Sequence, residues 1–207
     1  TGACNTASGA YALRNNTTGQ RNTATGMHAL YENTTGSYNT ASGYMALKTN
    51  QTGEGNTSIG FCSLQLNSTG CQNVAVGRRA LACNTTGCYN TASGTYALCM
   101  NSTGSWNTAV GFHSLNKNTT GCTNTASGSY ALYANTTGCH NSGYGGGALQ
   151  KNTTGDCNMA TGFRALWCNT TGASNTASGA YALKANITGA QNTATGYQSL
   201  YTNTTAS

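Results

Sequence analysis

Acidic side chains are almost missing from this sequence: Glu32, Glu54 and Asp156 are the only three in 207 residues. Histidine is equally scarce, with His28, His113 and His140 alone. No nucleophile, base and orienting acid can be assembled from so few groups, so the chain reads as a non-enzyme that needs no cofactor. Long apolar runs are also missing. Nothing approaches the roughly 18 to 20 consecutive apolar residues of a membrane helix, which excludes a membrane span. There is no signal peptide, but the chain opens at Thr1-Gly2 without an initiator Met and stops at Ala206-Ser207, so it reads as a window of a longer protein.

Proline is absent and charged residues make up only 6%, while Asn, Thr, Gly, Ser and Ala fill most positions. Composition of that kind suggests low-complexity disorder. Periodicity argues against it. A unit of 17 residues, Asn84-Thr85-Thr86-Gly87-Cys88-Tyr89-Asn90-Thr91-Ala92-Ser93-Gly94-Thr95-Tyr96-Ala97-Leu98-Cys99-Met100 in one copy, recurs along residues 1–207, with a broken copy at each end. A disordered chain has no reason to hold one residue at one phase, whereas a stacked coil needs the same residue at the same corner every turn. The reading is a single repeat array, an all-β parallel β-solenoid or β-roll of some 12 coils and about 60 Å.

Places within a copy are counted from Asn84 as first. The eleventh is always Gly, and the fourth is Gly from Gly2 to Gly189. Glycine tolerates positive φ and close backbone approach, so the two places predict two turns per coil. Between them, places seven to ten and twelve to fifteen are short, rich in Thr, Tyr and Val, and predict two strands per coil. The fifteenth place is Leu throughout: Leu13, Leu30, Leu47, Leu64, Leu81, Leu98, Leu115, Leu132, Leu149, Leu166, Leu183 and Leu200. With small residues at places nine and fourteen, these leucines are expected to form the core ladder. Each buried Leu contributes roughly 1.5–3 kcal/mol, too little for one coil to stand alone, so stability must come from stacking.

Asn fills the first and seventh places. At the seventh, stacked amides can hydrogen-bond along the axis. At the first, Thr always follows two residues later, which makes N-glycosylation sequons at Asn16, Asn33, Asn50, Asn67, Asn84, Asn101, Asn118, Asn135, Asn152, Asn169, Asn186 and Asn203. Two readings stand: a glycan sheath along one edge, or an Asn-x-Thr-Gly turn closed by the Thr hydroxyl. Asn15 and Asn56 add two further sequons.

Ten cysteines divide by phase. Cys71 with Cys88 and Cys122 with Cys139 share the fifth place in consecutive coils, and Cys83 and Cys99 occupy adjacent places one coil apart. Stacking brings such pairs to a Cα separation of about 5 Å, within disulfide range, and predicts axial staples and oxidising surroundings. The spacing of Cys157 and His140 follows the repeat and matches no zinc motif, so no metal site is expected.

Segments such as Asn73-Val74-Ala75-Val76-Gly77 and Asn107-Thr108-Ala109-Val110-Gly111 resemble the repeat of trimeric autotransporter adhesin heads. The longer Asn-Thr-Ala-x-Gly-x-x-Ala-Leu form is similar to repeats of phage and viral tail fibres. That resemblance implies a parallel β-roll on an extracellular appendage or a cell or virion surface, assembled as a trimer or a head-to-tail filament. It also turns places eight and ten inward.

Nine basic residues give a net charge of +6. Arg14, Lys48, Lys117, Lys151 and Lys184 form one sparse basic corner, too thin to track nucleic-acid phosphates. The most varied places, twelve, thirteen and sixteen, carry Tyr44, Phe61, Tyr96, Phe112, Tyr130, Phe163, Trp167 and Tyr201, which suit contact between chains or with a carbohydrate or surface receptor. Gly146 and Gly147 interrupt them and predict a weak spot or kink. The expected function is a structural subunit of an extracellular fibre; an adhesin shaft is the alternative. A third reading is ice binding, through Thr-x-Thr or Thr-x-Ser segments such as Thr23-Ala24-Thr25.

Overall fold

The computed structural model of the chain describes residues 2–206. Each copy contributes one strand of three residues, from β1 (Thr6–Ser8) through β5 (Val74–Val76) and β9 (Ser142–Tyr144) to β12 (Thr193–Thr195). The 12 strands form one parallel sheet in chain order. Register follows the repeat: Thr6 lies against Thr23, Ala7 against Ala24 and Ser8 against Thr25. The molecule is therefore a β-solenoid with a 17-residue period. Among the described residues no helix is long and apolar enough to cross a membrane.

Within a strand the middle residue points inward and its neighbours outward, as in Thr91-Ala92-Ser93, where Ala92 is buried and the flanking residues are exposed. The period of two leaves no other arrangement once the ninth place is Ala. Places eight and ten thus face solvent, opposite to what the adhesin resemblance implies.

The second expected strand does not form. Places twelve to fifteen are hydrogen-bonded turn, and every residue at the thirteenth and fifteenth places has positive φ, as at His28 (φ 60) and Leu30 (φ 50). Burial explains why. Ala29 and Leu30 are adjacent and both fully buried, and an extended strand, which alternates faces, cannot turn two neighbours inward. A left-handed residue before Ala29 and another at Leu30 swing both into the interior. Axial hydrogen bonding survives the bend: His28 N–H donates to the Ala10 carbonyl at 3.0 Å on one side, and Leu30 N–H to the Ala46 carbonyl at 3.1 Å on the other. A left-handed leucine costs about 1–2 kcal/mol, close to what its burial returns. The net gain lies in the contacts between coils.

Leu30 through Leu183 form a file of fully buried side chains, packed against alanines of places nine and fourteen such as Ala24 and Ala29. Leu13 is partly buried and Leu200 half-exposed, each in a terminal coil. Ser58 and Ser63 replace both alanines of one coil, and the Ser58 hydroxyl donates to the Ser63 carbonyl at 2.9 Å, which keeps that substitution satisfied inside the core.

The two glycine places do different work. At the eleventh, Gly26 has φ +119 and Gly43 φ +138, a region closed to other residues. At the fourth no positive φ is needed; a Cβ on Gly36 would run into the backbone oxygen of Gly53 and the amides of Asn33 and Asn50. The glycine run at Gly143, Gly145, Gly146 and Gly147 makes no kink. β9 pairs in register with both neighbours, and Gly147 (φ 67) adopts the conformation that other residues hold at this place.

Candidate functional site

The first-place asparagines line the interior. Asn33 Nδ2 donates to Asn16 Oδ1 at 2.8 Å and to the carbonyl of Gly36 at 2.9 Å, and the pattern repeats at Asn50, Asn67, Asn84 and onward. Asn33 through Asn186 are fully buried. The seventh-place column joins it: Asn22 Nδ2 donates to the same Gly36 carbonyl at 2.9 Å, and Asn22 Oδ1 accepts the Asn39 backbone N–H at 3.0 Å. Two amide columns thus converge on one carbonyl in every coil.

This geometry corrects the glycan reading. N-glycosylation consumes a hydrogen of Nδ2, and at Asn33, Asn50, Asn67, Asn84, Asn101, Asn118, Asn135, Asn152, Asn169 and Asn186 both are bound inside the rod. Asn16 and Asn203, in terminal coils, are half-buried, and Asn203 Nδ2 reaches Asn186 Oδ1 at 3.4 Å. Asn56 is buried as well, which leaves Asn15 as the exposed sequon asparagine. The invariant Asn serves packing, and sequon spacing alone could not tell a buried amide from an exposed one.

Thr of the same triplet does the reverse. Thr18, Thr35, Thr52, Thr69 and their equivalents through Thr188 are exposed. The hydroxyl that returns to the backbone belongs to the second place: Thr34 Oγ1 donates to the Gln51 carbonyl at 2.9 Å. That carbonyl also accepts the N–H groups of Thr34, Thr35 and Gly36 at 3.0, 3.1 and 3.2 Å. The third place is therefore an unbroken outward column of threonines. The sequon ties it to the asparagine; its constancy beside a second place that accepts Thr, Gln, Ser and Ile is the available signal.

Stacking brings the paired cysteines together, and all ten are free thiols. Cys122 Sγ lies 2.8 Å from Cys139 Sγ, and Cys71 N–H donates to Cys88 Sγ at 3.0 Å. A hydrogen bond from Cys99 holds the Cys83 thiol at about 6, well below its ordinary value, and the same contact together with burial pushes Cys99 up. Burial pushes Cys71 up to about 11. Among the described residues no three His, Cys, Asp or Glu side chains cluster as a metal site would require.

Places twelve, thirteen, sixteen and seventeen form an aromatic and basic edge. Tyr96, His113 and Tyr130 stack in consecutive coils with ring centroids 4.9 and 5.4 Å apart, and Tyr44 stacks on Phe61 at 5.2 Å. Burial pulls the His113 pKa down. The cations rest on these rings: Lys151 Nζ sits 4.0 Å from the Trp167 centroid, Arg14 5.2 Å from that of Tyr11, and Lys184 Nζ donates to the Tyr201 hydroxyl at 2.7 Å. Each such contact contributes about 0.5–1 kcal/mol at an exposed site. Sequence phase located the basic corner but gave no sign that rings would seat it. Compared with protein families, with curated proteins and with solved structures, the chain matches none.

Proposed function

We propose that the chain is a structural rod, a segment of an extracellular fibre or surface appendage, with no catalytic role. The observation that carries this reading is the axial repetition of every interior contact, from the leucine file to the two amide columns, at intervals of 17 residues. Such a molecule gains length by adding coils and presents complementary donors and acceptors along one axis, which suits self-association as a head-to-tail filament or a bundle. Electron microscopy of the purified chain over a concentration series tests it. Rods of about 60 Å that join end to end or side by side are expected; particles that stay single at every concentration sink the fibre reading. The alternative role, a shaft that grips a surface receptor or carbohydrate, is supported by the aromatic and basic edge.

Ice binding is a second reading with its own observation. Thr and Ser of places eight and ten face outward on one sheet in strict register, and the third-place threonines add an unbroken outward column. Val74, Val76 and Met159 interrupt the strand face. A thermal-hysteresis measurement separates the readings: clear hysteresis replaces the fibre role, and none removes the ice-binding one.

A further inference from the structure

The ring column of the aromatic edge has one missing member. Tyr96, His113 and Tyr130 occupy the thirteenth place in three consecutive coils as a parallel stack. The next coil has Gly147 there and Gly146 beside it, and the coil after has Arg164 and Phe163. The result is a cleft of about 190 Å³ bounded by Tyr130, Gln150, Phe163 and Arg164, with Gly146 and Gly147 as its floor. Two coils separate its walls, about 10 Å between backbones, which leaves room for one six-membered ring. That volume is below the roughly 300 Å³ where drug-sized sites begin.

The lining defines what ring it would take. Tyr130 and Phe163 are 38% and 48% exposed, so each offers an apolar face to the cleft and to solvent. Gln150 Oε1 accepts from Trp167 Nε1 at 2.7 Å, which fixes the amide and leaves its NH₂ group as a donor. The Arg164 guanidinium has no carboxylate or hydrogen-bond partner among the described residues; it is positioned by the faces of Phe163 and Trp167, at 5.1 and 5.5 Å, while the Arg164 backbone N–H donates to the Gly146 carbonyl at 3.0 Å. Lys151 and Lys184 surround the same tryptophan at 4.0 and 6.0 Å and raise the positive potential. An aromatic ligand would stack but leave these donors unmet, and a neutral sugar would leave the guanidinium unpaired.

We propose that this cleft binds a single pyranose ring bearing a carboxylate. Its C–H face lies on the negative face of an aromatic wall, its hydroxyl oxygens accept from Gln150, and its carboxylate pairs with the Arg164 fork. Hexuronates of acidic polysaccharides and nonulosonates at glycan ends share that chemistry. The proposal deepens the surface-binding alternative above and does not depend on filament formation.

Trp106 and Trp167 are the only tryptophans, so the variant Trp106→Phe leaves Trp167, hydrogen-bonded to the cleft wall, as sole fluorescence reporter. Titration with the methyl glycosides of glucuronic acid, N-acetylneuraminic acid and glucose is expected to show saturable change with at least one acidic ring at or below about 10 mM, and at least tenfold weaker response to the neutral one. A response to one acidic ring alone names the source. Gly147→Tyr should abolish binding: Tyr11, Tyr96, Tyr130 and Tyr181 hold this place at φ of 58 to 61, and the atoms its Cβ meets, Gln150 Oε1, Arg164 Cγ and Trp167 Cδ1 at 3.1, 3.3 and 3.5 Å, belong to side chains that can give way. An unchanged circular-dichroism spectrum and unfolding midpoint check that the variant folds. Arg164→Gln should cost the tenfold preference for acid. No saturation by either acidic ring, equal response to glucose, or binding that survives Gly147→Tyr overturns the proposal. A protein that fails here yet forms filaments leaves the fibre reading standing.

Discussion

The stretch from the first to the fourth place, with the seventh, repeats Asn, Thr, Gly and Asn almost without change, while places twelve, thirteen, sixteen and seventeen accept Tyr, His, Arg, Gly, Gln and Cys in turn. Burial separates the two only in part, since the third-place threonines are constant and exposed. What separates them is where the backbone depends on the side chain. In the constant stretch, the Gly36 carbonyl accepts from two asparagine columns, so each residue is fixed by its copies above and below. In the varied stretch the backbone is held by its own axial bonds and by the buried Leu, and side chains of place thirteen range from buried Cys62 to exposed Tyr11 and Arg79 without altering it. A left-handed φ is retained at that place by Cys62, Arg79, His113 and Gln198 alike, which shows how little the local identity matters.

The sharpest way to break this contrast is to add one methyl group to each side. Gly104→Ala would drive its Cβ into the Gly121 backbone oxygen and the amides of Asn101 and Asn118. Backbone cannot yield without opening the coil interface, so a loss of about 4 kcal/mol or more is expected by denaturant unfolding. Gly146→Ala, whose Cβ meets a Phe163 ring edge at 3.4 Å and the Ser129 carbonyl oxygen at 4.0 Å, should change stability by less than about 0.5 kcal/mol. Equal losses at the two sites would undo the contrast.

Next in size is Asn101→Ala. It removes the bonds from Asn101 Nδ2 to Asn84 Oδ1 and the Gly104 carbonyl, at 2.7 and 2.9 Å, and that from Asn118 Nδ2 to Asn101 Oδ1, at 2.8 Å. Buried groups left unpaired cost about 1–3 kcal/mol each, so a net loss of about 2–4 kcal/mol is expected. A loss below about 1 kcal/mol would mean that water enters the column and that the amides are not what fixes the coil.

Much of the fold could be read from phase alone. Constant Gly94 and Leu98 required corners and an interior file, and the 17-residue period required in-register stacking. The second strand could not be read correctly, because β propensity describes a pleated, half-buried surface, and Ala97-Leu98 is instead a left-handed turn with both side chains inside. The sequon reading failed for a related reason: sequence shows that Asn84 and Thr86 are constant, but not that one points in and the other out. The cleft was half visible, as a gap at Gly146 and Gly147, yet its aromatic walls, Tyr130 and Phe163, come from one coil to either side and its cation is aimed by a tryptophan ring that does not recur at its place in other copies.

In the varied stretch the sensitive property is reactivity. Cys83, held low at about 6 by the hydrogen bond from Cys99, is largely thiolate at pH 7, whereas Cys71, pushed up to about 11, is thiol. Iodoacetamide at pH 7 should therefore label Cys83 at least tenfold faster than Cys71. Cys99→Ala removes the donor and should slow Cys83 at pH 7 but leave it unaffected at pH 10, where the thiolate forms without help. Labelling rates of Cys83 and Cys71 that match at pH 7 would show that the pair does not share a proton in this way.

The smallest expected effect is also the most informative about constancy. Thr103 belongs to the exposed column, and its hydroxyl has no hydrogen bond among the described residues. Thr103→Val keeps the branched shape and deletes only that hydroxyl, so stability should move by less than about 0.5 kcal/mol. A null result would mean that stability does not account for threonine at the third place in copy after copy; the constraint would then lie outside the rod, in water, ice, a neighbouring filament or a modifying enzyme. A loss above about 1 kcal/mol would instead return the column to the coil's own bonding and place all of the constant stretch under one cause.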